Sequence, residues 1–334
     1  MKKQILVPLD GSALSERAIP HAVAHAHAMC RSLILVRAAP PPVTEGAIAW
    51  SAPPSVATWE TWQTEIDVAQ NYLWAAARRL EAEGLGIETA VLETEPAQGI
   101  INYAETHPEV AMIAMSTHGR SGLNRWVFGS VAERVIHAAP VPTLIVRAHG
   151  EVSTHGHGPD EAVHAQAQYR TIVVPLDGSE FAAQALNPAN TVAGVLGATL
   201  VLVCAAPERP IYLGGVGMPP VEIEWQDEAA HMQAYLAEKA AELKAEGLKV
   251  ETQVVYGPPA QTILDVCHNV GADLVVMATH GRSGFQRLWL GSVALKVLHS
   301  ATQPLLLIRS KERVEMPARE YAEATLGTPA SAGA

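Results

Sequence analysis

Aromatic residues, cysteines and basic charge are all scarce in this sequence, and each shortage excludes a class of protein. Aromatic residues make up 5% of the chain and hydrophobic residues 49%, so its cores must be built from aliphatic side chains. The three cysteines are an odd number without metal-binding spacing, which excludes a disulfide framework and a zinc module and indicates free thiols in a reducing compartment. The net charge of −11 argues against non-specific binding to nucleic acid or to an anionic membrane surface.

The chain also lacks the long apolar segments of membrane and secreted proteins. No run of 18 apolar residues occurs, and the apolar stretch after the N-terminal lysines is too short for a signal-peptide core. We therefore expect a cytoplasmic protein without a membrane partner. At roughly 100–200 residues per domain, a length of 334 residues predicts two domains.

One sequence unit occurs twice in the chain. ILVPLDGS (5–12) is matched by IVVPLDGS (172–179), and MSTHGRSG (115–122) is matched by MATHGRSG (277–284). The spacing between matched residues falls from 167 at Asp10 and Asp177 to 162 at His118 and His280, so the first copy carries about five extra residues in loops. The repeat predicts a first domain at 1–148, a linker at 149–168, a second domain at 169–310 and a flexible tail at 311–334.

Short apolar runs alternate with helical stretches within each copy. In the first copy we predict strands at 4–10, 32–38, 87–93, 110–116 and 141–147, and helices at 13–29, 58–83, 97–107 and about 130–138. This alternation predicts an α/β fold with two tandem doubly wound domains, each with a five-stranded parallel sheet. Ligands bind such sheets beyond the carboxyl ends of the strands, where the strand order reverses. The residues after strands one, two and four are therefore the candidates for a binding site.

A glycine-rich loop follows the fourth strand of both copies and leads to a helix. The first loop covers 116–122 and leads to Gly129-Ser130, and the second covers 278–284 and leads to Gly291-Ser292. Glycines allow backbone N–H groups to approach a phosphate closely, and a helix N-terminus adds free donors and a partial positive charge. The duplicated loop predicts a polyphosphate site in each copy.

A structural role for the same residues is the alternative. Ser130 and Glu133 have the S-x-x-E spacing of a capping box, which would satisfy the helix start without a ligand, whereas Ser292 is followed by Leu295 at that spacing. The glycines would then serve only as tight turns.

Aspartate, histidine and arginine side chains near these loops are further candidates, each with a structural alternative. Asp10 and Asp177 end the first strand of each copy, each followed by Gly-Ser. A carboxylate there accepts a hydrogen bond from an exocyclic amine, or else the Asp or the Ser caps the next helix. His118 and His280 act as a base, pair with phosphate, or only order the loop. Four arginines approach phosphates or remain solvated: Arg120, Arg125, Arg282 and Arg287.

The sequence contains none of the catalytic or metal motifs that we searched for. The P-loop, the G-x-G-x-x-G fingerprint, the G-x-S-x-G elbow and H-E-x-x-H are all missing. His21 and His25 share a helix face, but no third ligand accompanies them, so we assign no metal site. We assign no catalytic residue either, because no acid–base pair repeats in both copies.

Together, VPLDGS, THGRSG and GSVAERV resemble the universal stress protein family, and the resemblance covers about 280 of the 334 residues. It implies a tandem two-domain member with a Rossmann-like fold of the adenine nucleotide alpha hydrolase type. The ATP-binding branch of that family has G-x-x-G, nine residues and then G-[ST]. Here Gly119 leads to Gly129-Ser130 and Gly281 leads to Gly291-Ser292, while Ser116 and Ala278 replace the leading glycine close to where the family places ribose.

The resemblance implies an adenine-nucleotide site in each copy, with ATP, or else ADP or AMP, as ligand and Mg²⁺ as an optional companion. It implies that Asp10 and Asp177 contact adenine and that Ala38 and Ala205 line the adenine pocket. The backbone N–H groups of Val131 and Val293 would be further hydrogen-bond donors. The residues that would hold the phosphates are Gly119, Gly129, Ser130, Gly281, Gly291 and Ser292. The other candidate nucleotide-binding residues are Ser116, His118, Arg120, Gly122, Ala278, His280, Arg282 and Gly284.

Three functional hypotheses follow. The first is an ATP-binding stress-response regulator without fast catalysis. The second is a slow ATPase or autophosphorylating enzyme that uses His118 or His280 with a divalent ion. The third is an interaction module whose loops bind nothing and whose partners contact Trp50, Trp59, Trp62 and Trp225. The resemblance further implies pairing of the last strands, 141–147 with 303–309, and association of two chains as a homodimer.

Overall fold

Ten strands and ten helices lie in the residues that the structure describes. This computed structural model describes residues 4–29, 31–42, 56–117, 129–147, 167–207, 226–279 and 290–309. The strands are β1 Gln4–Pro8, β2 Ser32–Ala38, β3 Ile87–Leu92, β4 Val110–Ser116, β5 Thr143–Val146, β6 Thr171–Pro175, β7 Thr199–Ala206, β8 Lys249–Tyr256, β9 Leu274–Ala278 and β10 Leu305–Ile308. The helices are α1 Ala13–Glu16, α2 Ala18–Ala28, α3 Val56–Arg79, α4 Pro96–Thr106, α5 Ser130–Ala138, α6 Glu180–Ala183, α7 Leu186–Leu196, α8 Gln226–Ala245, α9 Pro259–Asn269 and α10 Ser292–Ser300.

All ten strands form one continuous sheet, in the order β3-β2-β1-β4-β5-β10-β9-β6-β7-β8. The five strands of each copy are parallel to one another, which confirms the predicted doubly wound fold. β5 and β10 are antiparallel, with Leu305 opposite Ile145 and Leu307 opposite Thr143. The expected pairing of the last strands is therefore present, and it merges the two sheets.

Helices cover both faces of the sheet, so its central strands are buried on both sides. In β1, Ile5 and Val7 belong to one hydrophobic cluster and Leu6 to the other, because successive side chains of a strand point to opposite faces. The first cluster includes α2, α3, α7 and α8, and the second includes α4, α5, α9 and α10. The continuous apolar runs in the sequence have their physical cause in this double burial.

Two predicted helix boundaries differ from those observed. The stretch 13–29 forms two helices that meet at Arg17, with the Ser12 hydroxyl capping α1 by accepting the Ser15 N–H. The long helix ends at Arg79 and continues as a 3-10 turn at Glu81–Glu83, which closes at Gly84 with φ of +70°. A left-handed residue at a helix end favours glycine, which explains why Gly84 closes this turn.

The two copies hold each other through reciprocal arginines. The Arg147 guanidinium, just after β5, donates to the carbonyl of Leu298 in the last turn of α10. Arg309, just after β10, donates to the carbonyl of Ala139 at the end of α5, with an N–O distance of 2.7 Å. A cation at a helix C-terminus satisfies a free carbonyl and the negative end of the helix dipole. Each arginine therefore caps a helix of the opposite copy.

Among the described residues, no helix combines the length and apolarity needed to cross a bilayer. The cysteines Cys204 and Cys267 are buried free thiols, as predicted, and burial raises the pKa of Cys267 to about 12.

Candidate functional site

A cavity of about 930 Å³ opens in the first copy at the carboxyl ends of β1, β2 and β4. β1 lies between β2 and β4, so the strand order reverses at β1. The sequence places the candidate residues at this point, beyond the carboxyl ends of the strands. Six predicted site residues line the cavity together: Asp10, Ala38, Ser116, Gly129, Ser130 and Val131. Its volume falls in the usual range of small-molecule sites.

The first part of the cavity wall is the turn after β1. The Asp10 carboxylate accepts the Ser12 N–H at 2.9 Å, and Gly11 between them has φ of +86°, a conformation that favours glycine. Ser12 rather than Asp10 caps α1. The Asp10 carboxylate therefore orders this turn while also lining the cavity. Of the structural alternatives that the sequence left open, the capping role belongs to Ser12.

The second part is the start of α5, which has no side-chain cap. Gly129 is the N-cap residue and Ser130 is the first helical residue, so the expected capping box of Ser130 and Glu133 is not formed. The capping box is absent because a capping side chain must belong to the residue that precedes the helix, whereas Ser130 is already the first helical residue. The expectation of a capping box is therefore wrong. Gly129, Ser130, Val131 and Ala132 all line the cavity, which gives it a helix N-terminus that favours anions.

The start of α5 leaves little room for a side chain because the backbone passes close to the end of β4. The Gly129 N–H donates to the Thr117 carbonyl at 2.9 Å, and a β-carbon at this position would lie 3.1 Å from the same oxygen. In the second copy, the Gly291 N–H donates to the Thr279 carbonyl at 2.7 Å. Both glycines therefore hold the helix start against the strand that precedes the loop.

The third part of the wall is apolar and follows β2. Ala38 ends this strand, and the Ala39 N–H donates to the Leu92 carbonyl at 2.9 Å, which continues the ladder between β2 and β3. Val36 and Leu92 also line this side of the cavity. Small and aliphatic side chains next to backbone polar groups are typical of pockets that bind small molecules.

Ser116 ends β4 at the cavity, where the family pattern has glycine. The residue is 7% exposed, and its hydroxyl oxygen has no hydrogen-bond partner in the portion of the chain that is described. A buried hydroxyl without a partner lowers the stability of the folded state. The departure from the glycine pattern therefore carries a cost in the ligand-free protein.

The long helix α3 forms a wall that sequence reasoning missed. Its cavity-lining residues follow one another at spacings of three and four: Thr61, Thr64, Glu65, Val68 and Ala69. This spacing of three and four residues is visible in the sequence. The neighbouring residues in the sequence do not indicate, however, that this face of the helix covers a cavity rather than contacting solvent. The charged residues among the described lining are Asp10, Glu65 and Arg37.

Trp62 attaches this wall to the sheet. Its indole N–H donates to the Ala39 carbonyl at 3.0 Å, and Trp59 packs against it edge-on with a ring-centroid distance of 5.1 Å. Trp59 is 43% exposed. Trp50 and Trp225, the other members of the predicted interaction surface, lie outside the described residues.

The second copy repeats the backbone of the site with different side chains. Asp177 accepts from the Ser179 N–H at 3.0 Å and from its hydroxyl at 2.6 Å, and Ser179 caps α6. Gly291 is again the N-cap of an uncapped helix, with Ser292 and Val293 in its first turn, while Ala205 and Ala278 lie at the ends of β7 and β9. The spacing of 163 that relates Gln98 to Gln261 puts Met232 at the position of Ala69. The two sites therefore differ in the bulk of the wall.

Part of the predicted site falls outside the described residues, as do the predicted linker and tail almost entirely. These site residues are His118, Gly119, Arg120, Gly122, His280, Gly281, Arg282 and Gly284, together with Arg125 and Arg287. His21 and His25 are described, and both contact Tyr169 of the second copy at the boundary between the copies. Among the described residues, no group of three or more histidine, cysteine, aspartate or glutamate side chains is placed to hold a metal ion.

Comparison with known proteins assigns a family to this arrangement. The model of the universal stress protein family matches residues 1–147 and 168–309. A universal stress protein of Mycolicibacterium smegmatis is 28% identical over 314 residues, which cover 92% of this chain and 97% of that protein. One from Mycobacterium tuberculosis is 28% identical over 329 residues, covering 94% of this chain and 97% of its own length. The crystal structure of a universal stress protein from Archaeoglobus fulgidus shares the fold, with a TM-score of 0.64 at 20% identity over 92% of this chain and 98% of that chain.

Proposed function

Because this chain belongs to the universal stress protein family, we propose that it is a regulatory protein that binds an adenine nucleotide, with ATP as the ligand. The observation that carries the proposal is the cavity at the reversal of strand order, into which the uncapped start of α5 opens. We assign it no catalytic residue, because the sequence repeats no acid–base pair in both copies.

The two ends of the cavity suit the two ends of a nucleotide. The backbone N–H groups at the start of α5 are donors without a capping side chain, and donors of this kind bind phosphate oxygens. The apolar side, with Ala38 and Val36, suits the faces of an adenine ring, and the Asp10 carboxylate is an acceptor for its exocyclic amine. The phosphates would therefore lie at α5 and the base towards β2.

Mg²⁺ would accompany the phosphates rather than occupy a protein site of its own. Magnesium in nucleotide sites keeps several waters and binds phosphate oxygens with one or two protein ligands. The phosphates would supply the ligands of such an ion, since the Asp10 carboxylate is assigned to the base. When bound, the ion would neutralise phosphate charge.

Calorimetric titration of the full chain with ATP, with and without Mg²⁺, tests the proposal. We expect saturable binding that Asp10→Asn weakens, because the amide removes the charge and one acceptor. Asp67→Asn is the matched control, since Asp67 is an exposed residue of α3 that does not line the cavity. Mass spectrometry of small molecules released from the denatured protein gives an independent readout.

The outcomes separate the functional hypotheses. No heat of binding at millimolar ATP, together with no released nucleotide, would refute the proposal and leave the interaction module. Binding followed by steady release of inorganic phosphate would support a slow ATPase instead.

A further inference from the structure

The N-terminal half of α3 extends past the core and covers the cavity. The C-terminal half packs into the core through Leu73, Ala76 and Leu80, which are all buried. The preceding turns present the face with Thr61, Thr64, Glu65, Val68 and Ala69 to the cavity instead. Because these positions are three and four residues apart, they form one stripe on the helix. Half of the helix therefore stabilises the fold and the other half shapes the site.

The carboxylate of Glu65 is available to a ligand on this stripe. Its side chain is exposed at the cavity and makes no hydrogen bond or ion pair with any part of the chain that the structure describes. Asp10 differs, because its carboxylate accepts the Ser12 N–H. The Trp62 bond to the Ala39 carbonyl ties this part of α3 to the end of β2, so the position of Glu65 is determined by the fold rather than by a ligand.

The anion-binding part of the cavity lies at α5, away from α3. α3 packs on β2 and β3, whereas α5 follows β4 on the other side of β1. The partial positive charge of the helix dipole lies at α5, while the Glu65 carboxylate and the Arg37 guanidinium are the charged side chains contributed by α3 and β2. A nucleotide whose phosphates bind at α5, as proposed above, has its base on the side of α3.

An ionised carboxylate only accepts hydrogen bonds, so it recognises a donor on the base. The 6-position of adenine has an amino group, while a 6-oxo purine has a carbonyl oxygen there, which a carboxylate repels. We propose that Glu65 is a specificity-determining residue that accepts a hydrogen bond from the exocyclic amine of the bound base, as a second acceptor beside Asp10, because the amine has two N–H donors. The inference rests on the proposed function and adds a preference for adenine over 6-oxo purines.

The second copy carries the same residue at the corresponding place. The spacing of 163 residues relates Tyr72 to Tyr235 and Leu73 to Leu236, and it also relates Glu65 to Glu228 on α8. A glutamate therefore occurs at this helix position in both copies.

Titrations with ATP and with inosine triphosphate test the inference on the full chain. Inosine triphosphate replaces the amine by a carbonyl and is otherwise the same ligand. We expect the wild type to prefer ATP by about ten-fold or more, since a site built for a donor rejects a ligand that lacks it. Glu65→Gln should weaken ATP binding and strengthen inosine triphosphate binding, because its amide donates to the carbonyl, so the preference falls to about two-fold. Glu60→Gln is the matched control, because Glu60 is exposed on the same helix and does not line the cavity.

Each outcome bears on one proposal. An unchanged preference in Glu65→Gln would overturn the inference, and so would an equal loss of affinity for both nucleotides, since the carboxylate would then contact a part that the two ligands share. Both results would leave the proposed function standing. A wild type that binds neither nucleotide would refute the proposed function itself. The substitution changes an exposed side chain, so we expect the unfolding midpoint to stay at the wild-type value.

Discussion

Acidification should weaken the packing between the two copies, because two neutral histidines are buried there. His21 Nδ1 lies 2.7 Å from the Tyr169 hydroxyl, and the Tyr169 ring stacks on His21 and meets His25 edge-on. His25 Nδ1 lies 3.0 Å from the His21 carbonyl and donates to it, which leaves Nε2 buried and without a partner in the described part of the protein. Protonation would put a charge into this contact. Arg31 and Asp273 are the charged groups that act on the cluster.

The loss in the free energy of unfolding on acidification follows from the pKa values of the two histidines. Burial, with a smaller effect of His25, lowers the pKa of His21 from 6.5 to about 4, and burial, with a smaller effect of Arg31, lowers the pKa of His25 to about 4. Above pH 6.5 both histidines are neutral in the folded and unfolded chain, so they add no pH dependence. Between pH 6.5 and pH 4 the unfolded chain binds protons that the folded chain does not. The free energy of unfolding therefore decreases as the pH is lowered. At pH 5 the loss is about 2 kcal/mol for each histidine.

Urea denaturation followed by circular dichroism at pH 7 and pH 5 measures this loss. His25→Leu removes one titrating group while it retains an apolar side chain of similar size. We expect the variant to lose about 2 kcal/mol less than the wild type between the two pH values. Carboxylates titrate equally in both proteins, so their contribution cancels in the difference.

His268→Leu serves as the control, since His268 is exposed on α9 and should leave the pH dependence unchanged. An identical loss in the wild type and in His25→Leu would refute the reasoning, because it would mean that His25 is not held neutral by burial.

Three further substitutions test the site and the contact between the copies. Gly129→Ala brings a β-carbon to 3.1 Å from the Thr117 carbonyl and moves the helix start, so calorimetry should show ATP affinity reduced several-fold while stability falls by only about 1 kcal/mol; wild-type affinity would contradict the role of α5. Ser116→Ala removes a buried hydroxyl without a partner, so the free energy of unfolding without ligand should rise by about 1 kcal/mol in urea titrations, and a decrease would show that the hydroxyl has a stabilising contact. Arg309→Met removes the charged donor to the Ala139 carbonyl, so the free energy of unfolding in the same assay should fall by about 1.5–3 kcal/mol. A decrease below about 0.5 kcal/mol, the lower limit for one hydrogen bond, would mean that solvent replaces this bond.

The sequence by itself determined the strands and helices of the fold and the strand ends and helix start that line the site. Buried parallel strands read as apolar runs, so β2 and β4 have the bounds that the sequence predicted. The repeated motifs put Asp10 and Ser116 at strand ends and Gly129 at a helix start, and parallel strands end at one edge of a sheet. These properties depend on neighbours in the chain, which a sequence displays directly.

Only the tertiary structure decided where the side chains meet. The start of α5 lies at Gly129 because its N–H bonds to the Thr117 carbonyl, so Ser130 falls inside the helix and cannot cap it, although its spacing to Glu133 was suitable. The cavity face of α3 and the contact of His21 with Tyr169 depend on how far a helix extends past the sheet and on which copy packs beside it. Contacts of this kind join residues that are distant in the chain, and local periodicity carries no information about them.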